Sequence, residues 1–105
     1  DIGSAGGITE VKKICDMAHV YDVWVQPHVC GTPLSTFAAL QVEAVIPNFI
    51  IHEHNSNLRS RSQLGITKYN IHPENGYFEV PDAPGLGNEI IPEAYEKASQ
   101  IEIIQ

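Results

Sequence analysis

The chain has 105 residues, 43% hydrophobic and 18% charged, a globular composition that excludes a disordered segment. Thirteen Asp and Glu against six Lys and Arg leave a net charge of −7, and the basic residues form no run, which argues against nucleic acid and against an anionic membrane as partners. No apolar run approaches the ~20 residues of a membrane span, nothing resembles a signal peptide, and the two cysteines, Cys15 and Cys30, form neither a disulfide framework nor a Cys-x-x-Cys motif, so a reduced, cytoplasmic setting is expected.

In chain order, Asp1 leads into a glycine-rich turn (Gly3, Gly6, Gly7) that lets the backbone bend into a helix. A Gly-Gly pair with no following Lys-Ser/Thr reads as a tight strand-to-helix turn before it reads as a phosphate cradle. Val11, Ile14, Cys15 and Ala18 recur at helical spacing and predict a helix over residues 9–21, with Gly7 or Thr9 as N-cap and Glu10 placed well against the helix dipole. Residues 23–31, Val-Trp-Val-Gln-Pro-His-Val-Cys-Gly, are rich in β-branched and aromatic side chains and predict a buried strand with His28 at its C-terminal tip. A second helix is predicted over 34–46, capped by Ser35 or Thr36. It is apolar nearly all round, with only Gln41 and Glu43 as polar positions in its body, so it should be covered on more than one side.

Phe49-Ile50-Ile51 is the next predicted buried strand and runs directly into His52-Glu53-His54. Residues 55–65 turn to Asn, Ser, Arg and Gln and predict a loop. The runs 69–72 and 77–80 flank Pro73-Glu74-Asn75-Gly76, a hairpin signal, because Asn-Gly suits the positive φ angles of a tight antiparallel turn. Residues 81–87 predict a rigid irregular turn, 92–99 a short helix with Pro in its first turn, and 101–104 a terminal apolar strand.

Alternating helices and strands define an α/β repeat, in which polar residues at the C-terminal strand ends carry chemistry on rigid supports. Asp1, His28 and Glu53 stand at or just past successive strand ends, at intervals of one helix-and-strand repeat. Neighbouring strand ends in a barrel lie about 5 Å apart, so the three side chains can meet over one mouth. That set suits proton transfer, with a carboxylate fixing the imidazole tautomer and the other ring nitrogen acting as base or acid. Singly, each residue has a plainer role: a hydrogen-bonded structural His, an Asp that caps a turn, a solvated Glu. The repeated placement favours function. Two or three parallel strands would leave apolar faces and edges bare, so the sequence reads as the C-terminal part of a larger domain.

The ordered set Asp1-x-x-x-x-Gly6-Gly7-Ile8-Thr9-Glu10, Pro27-His28, Ile46-Pro47-Asn48-Phe49 leading to Glu53, Asn75-Gly76-Tyr77, and Pro81-Asp82-x-Pro84-Gly85-Leu86-Gly87 resembles the C-terminal part of the enolase superfamily. Within it, the mandelate racemase/muconate lactonizing enzyme subgroup is the nearest in pattern, and there the acid-sugar dehydratases of the galactonate dehydratase type. The resemblance implies an α/β fold: residues 1–66 are the last βα units of a (β/α)8 TIM barrel, from the end of strand six to strand eight. Residues 67–105 are then a hairpin, turn and helix that return to pack on a capping domain. It also implies a lyase that abstracts the proton α to a carboxylate with the help of Mg²⁺ and eliminates the 3-hydroxyl of a sugar acid to give a 2-keto-3-deoxy acid.

By the same resemblance, Asp1 and His28 form an Asp-His dyad, and Glu53 hydrogen-bonds the substrate carboxylate as the enediolate forms. His52, where relatives often carry Gln, and His54 flank Glu53 as substrate-binding residues. The Mg²⁺ ligands, the second catalytic group and the specificity loops are expected outside these residues, so no metal ligand is assigned here and the isolated piece is expected to be inactive. The implied partners are the sugar-acid substrate, the rest of the barrel and capping domain, and further copies of the protein in a homo-oligomer.

Two alternatives stand beside this reading. A racemase, epimerase or cycloisomerase of the same superfamily shares the enolate intermediate. From another class, His52-x-His54 places two imidazoles on one face of a strand and Glu53 on the other, and with His28 or His72 they would make a non-catalytic zinc-binding module.

Overall fold

The computed structural model describes residues 1–55, 65–70 and 72–98. The strand expected at 101–104, residue 99 of the last expected helix and most of the loop expected at 55–65 lie outside the described residues.

The first helix, α1 (Ile8–Val20), follows a turn in which Gly6 and Gly7 adopt positive φ angles of 102° and 91°. Val11 and Cys15, one turn apart, are buried and form its core stripe. Ile14, expected on the same face, is 51% exposed, because the neighbouring helix covers only the Val11–Cys15 line. The helix closes on Asp22 in the left-handed conformation (φ 55°), with Val23 N–H donating to Ala18 O and Asp22 N–H to His19 O, both at 3.0 Å. This is the Schellman arrangement, and it satisfies carbonyls that a helix end leaves without partners.

The second helix, α2 (Pro33–Glu43), starts and ends before the predicted range. Pro33 occupies the first helical turn, where its missing N–H costs nothing, so Thr32 and not Ser35 or Thr36 takes the N-cap position. At the other end Val45 N–H bonds to Val42 O at 3.0 Å, and this tighter turn closes the helix before Ile46. As expected of an all-round apolar helix, α2 is covered on more than one side. Ala38, Ala39 and Val42 join Ile2, Val11, Cys15, Val29 and Ile46 in the core. Gln41 Nε2 donates to Pro81 O at 3.0 Å, which seats the 81–87 turn on another side.

The two predicted strands run parallel but pair through a single bridge, Val25 with Phe49, with Val25 N–H to Asn48 O at 2.9 Å and Ile50 N–H to Val25 O at 3.2 Å. Neither is buried along its whole length as predicted, although Pro27 and Val29 in the first are. Trp24 is 65% exposed and Ile50 and Ile51 are 59% and 58% exposed. Each segment has only the other as a lateral partner among the described residues, and burial of a parallel strand requires neighbours on both edges and both faces.

In the C-terminal part, Glu74 and Tyr77 exchange backbone hydrogen bonds of 2.8 and 2.9 Å around Asn75 (φ 51°) and Gly76 (φ 84°), the positive pair that a tight hairpin turn demands. Thr67 and Ile90 form a second antiparallel bridge, and α3 (Pro92–Lys97) buries no side chain. Among the described residues no helix is long and apolar enough to cross a membrane.

Candidate active site

His28 stands at the end of the first extended segment, anchored by buried Pro27 and Val29 on either side, while its own side chain is 56% exposed. The bridge between Val25 and Phe49 sets the register that brings Glu53 alongside it. Glu53 Oε2 lies 2.7 Å from His28 Nδ1 and also accepts the Val29 backbone N–H at 3.1 Å. The Val29 N–H, and after it the His28 ring, hold the Glu53 carboxyl below its ordinary range, so it is an ionised acceptor at neutral pH.

Asp1 closes the other side. Its Oδ2 lies 4.0 Å from His28 Nε2, while Oδ1 accepts the Ser4 N–H at 2.7 Å and braces the N-terminal turn. The structure therefore brings Asp1, His28 and Glu53 together. It differs from the expected dyad in detail: the hydrogen-bonded carboxylate on the ring is Glu53, because the local turn draws Asp1 beyond hydrogen-bond reach. One imidazole thus sits between two carboxylates, an arrangement suited to taking up and releasing a proton.

His52 and His54, expected as substrate-binding residues beside Glu53, lie on the opposite face of the segment, since side chains alternate along an extended chain. Both rings pack on Phe78, with centroid separations of 4.7 and 5.3 Å. His52 Nδ1 lies 2.7 Å from Glu43 Oε2, and both side chains are buried, at 7% and 4% exposure. Glu43 was legible in the sequence only as a lone acid on an otherwise apolar helix. The pair lies on the wall of a cavity of about 550 Å³ that Leu40, Phe49, Ile51 and Phe78 also line and Glu53 does not.

The zinc-module alternative gains no support, because His52 Nδ1 is engaged by Glu43 and among the described residues no group of three or more His, Cys, Asp or Glu is placed to hold a metal ion. The same observation bears on Mg²⁺. This hard ion wants about six oxygen ligands, whereas the two carboxylates nearest the site face His28. These residues do not make a Mg²⁺ site by themselves. Cys15 is buried, and burial, reinforced by Asp16, pushes its thiol up, which keeps it from acting as a nucleophile.

The model of the family described as enolase C-terminal domain-like matches residues 1–94. The chain belongs to this family. It is 36% identical over 91 residues to a D-xylonate dehydratase of Haloferax volcanii, covering 83% of this chain and 21% of that protein. It is 34% identical over 105 aligned positions to a D-galactonate dehydratase of Cronobacter sakazakii, covering 95% of this chain and 28% of that protein. Among solved structures, a member of the enolase superfamily from Salmonella Typhimurium superposes with a TM-score of 0.83 at 55% identity, covering 88% of this chain and 24% of that one. The chain has the fold of an enolase superfamily C-terminal domain and spans between about a fifth and a quarter or so of the length of these relatives.

Proposed function

We propose that this chain is part of an acid-sugar dehydratase, a lyase, and that it supplies the imidazole that moves the proton. The observation that carries the reading is His28, open to solvent and gripped at Nδ1 by Glu53, with Asp1 on the side of Nε2. The two dehydratase relatives support the choice of reaction.

An ionised carboxylate only accepts hydrogen bonds, so His28 Nδ1 carries the proton shared with Glu53 and neutral Nε2 keeps its lone pair. Nε2 takes the proton from the carbon α to the substrate carboxylate, and the C–H electron pair passes into the carboxylate as an enediolate. The enediolate expels the hydroxyl at C3, which leaves as water with a proton from a second acid on another strand. The enol tautomerises to the 2-keto-3-deoxy acid, and the imidazolium returns its proton to solvent. Asp1, 4.0 Å from Nε2, stabilises the imidazolium while it carries the proton.

In the whole protein, residues 1–66 form the closing units of a (β/α)8 barrel and residues 67–105 pack on a capping domain, with Mg²⁺ held by carboxylates of other strands. Incubating the full-length protein with a panel of sugar acids and Mg²⁺ tests the reading. A 2-keto-3-deoxy product supports it, whereas a C2 epimer assigns the protein to the racemases of the superfamily and no turnover of any sugar acid refutes it.

A further inference from the structure

The geometry points to Glu43 as a positioning residue for Glu53, acting through His52. The strand that ends in Glu53 loses its ladder early. Ile50 N–H donates to Val25 O at 3.2 Å, and beyond it Ile51, His52 and Glu53 make no backbone hydrogen bond among the described residues. Side chains hold this end of the strand instead. His52 Nδ1 lies 2.7 Å from Glu43 Oε2, both side chains are buried, and the imidazole packs edge-on against Phe78 with centroids 4.7 Å apart. Glu43 Oε1 and His52 Nε2 are buried with no hydrogen bond among the described residues, so Oε2 to Nδ1 is the polar tie that joins helix to strand end.

Glu43 is a firm anchor for that tie, because it closes α2 directly after Val42, which is 1% exposed in the core. Side chains alternate along an extended chain, so pinning His52 on the α2 side turns Glu53 to the other side, where its Oε2 accepts the Val29 N–H at 3.1 Å. A buried acid–imidazole pair adds little net stability over apolar residues of the same volume, so its use here is conformational. A carboxyl on α2 thus sets the place of a site carboxylate without touching substrate. The kinetic part of this inference rests on the dehydratase reading, while the placement of Glu53 does not.

Full-length Glu43→Gln, Glu43→Asp and Glu43→Leu test it, beside Gly87→Ala, which weakens the fold at the Pro81 contact instead. Each is followed, below its melting temperature, by turnover of the sugar acid and by exchange of the Val29 amide with deuterated solvent. Gln keeps an oxygen that accepts from Nδ1–H, so both readings should stay near wild type. Asp falls one methylene short and Leu has no acceptor. The expected loss in kcat is about threefold to tenfold for Asp and about tenfold to a hundredfold for Leu, the size that follows a misplacement of ~1 Å at a reacting site. KM should stay within about twofold, since no contact to bound substrate is removed. The Val29 amide should exchange faster in the same order, because its acceptor has moved. If Glu43→Leu does not fold, the order of Gln and Asp decides. Wild-type kcat and Val29 exchange in Glu43→Leu or Glu43→Asp overturn the proposal, as does an equal loss of kcat in Gly87→Ala. A reversed order, with Asp near wild type and Gln impaired, places the effect in charge and overturns it too. Faster Val29 exchange in the Glu43 variants of a protein that dehydrates no sugar acid keeps the placement of Glu53 and discards the dehydratase reading.

Discussion

Asn48 Nδ2 donates to the Cys15 carbonyl oxygen at 3.1 Å, and the same amide nitrogen donates to Val23 O at 2.8 Å. One buried side chain thus ties the body of α1 to the start of the strand that carries His28. Asn48→Ala removes both bonds and takes this donor from the Val23 carbonyl, and loss of about 1–3 kcal/mol is expected. Denaturant unfolding of the full-length protein measures it, and a loss below about 0.5 kcal/mol would show that the clamp is dispensable.

Gly87 and Gly85 make a controlled pair within one turn. Both have positive φ, 79° and 71°, so any side chain bears a backbone cost of about 1 kcal/mol at either position. A Cβ at Gly87 would also run into the Pro81 ring, while at Gly85 it meets open space. Gly87→Ala should therefore lower the melting temperature clearly more than Gly85→Ala. Equal effects would mean that the Pro81 contact yields without cost.

The Glu43–His52 pair predicts a stability phenotype for His52. His52→Ala leaves Glu43 buried without its partner, and a loss of about 3 kcal/mol is expected. Because His52 faces away from Glu53, the KM of the folded variant should stay within about twofold of wild type. A large rise in KM with unchanged stability would restore the substrate-binding role that the sequence suggested.

Glu53 also predicts how stability responds to acid. Its carboxyl lies below the ordinary value of 4.5 in the folded chain because the Val29 N–H and the His28 ring favour the charged form. A depressed carboxylate contributes stability that is fully present above its unfolded pKa and is lost as pH falls through the folded one. The stability difference between wild type and Glu53→Gln should shrink as pH falls below 4.5. A difference that instead grows below pH 4.5 would reverse the sign of the interaction.

If His28 is the base, His28→Asn in the full-length protein should abolish turnover and also the exchange of the substrate α-hydrogen with solvent deuterium. Proton NMR of the substrate in deuterated buffer follows the exchange directly. Persistent exchange in the variant would move the base to another residue and leave His28 as an acid for the departing hydroxyl.

By itself the sequence determined the local structure. The 3.6-residue spacing of Val11 and Cys15, the apolar run after Pro33, and Asn75-Gly76 between two extended segments each depend on the conformational preferences of a few adjacent residues; α1 and the hairpin turn stand where those preferences put them, and α2 forms there with its ends at Pro33 and Glu43, ahead of the expected ones. Alternation along the strand was legible for the same reason and set Glu53 against His52 and His54.

Tertiary structure alone decided what depends on groups distant in the chain. Whether Asp1 or Glu53 takes the His28 hydrogen bond turns on a difference between 2.7 and 4.0 Å, set by the strand register and by the Ser4 N–H that draws Asp1 aside. The partner of His52 proved to be Glu43, brought within 2.7 Å by the packing of α2 on the strand. The exposure of Trp24, Ile50 and Ile51 likewise followed from which neighbours each segment has. Burial and hydrogen-bond choice are properties of an assembled surface, and a one-dimensional pattern carries only the capacity for them.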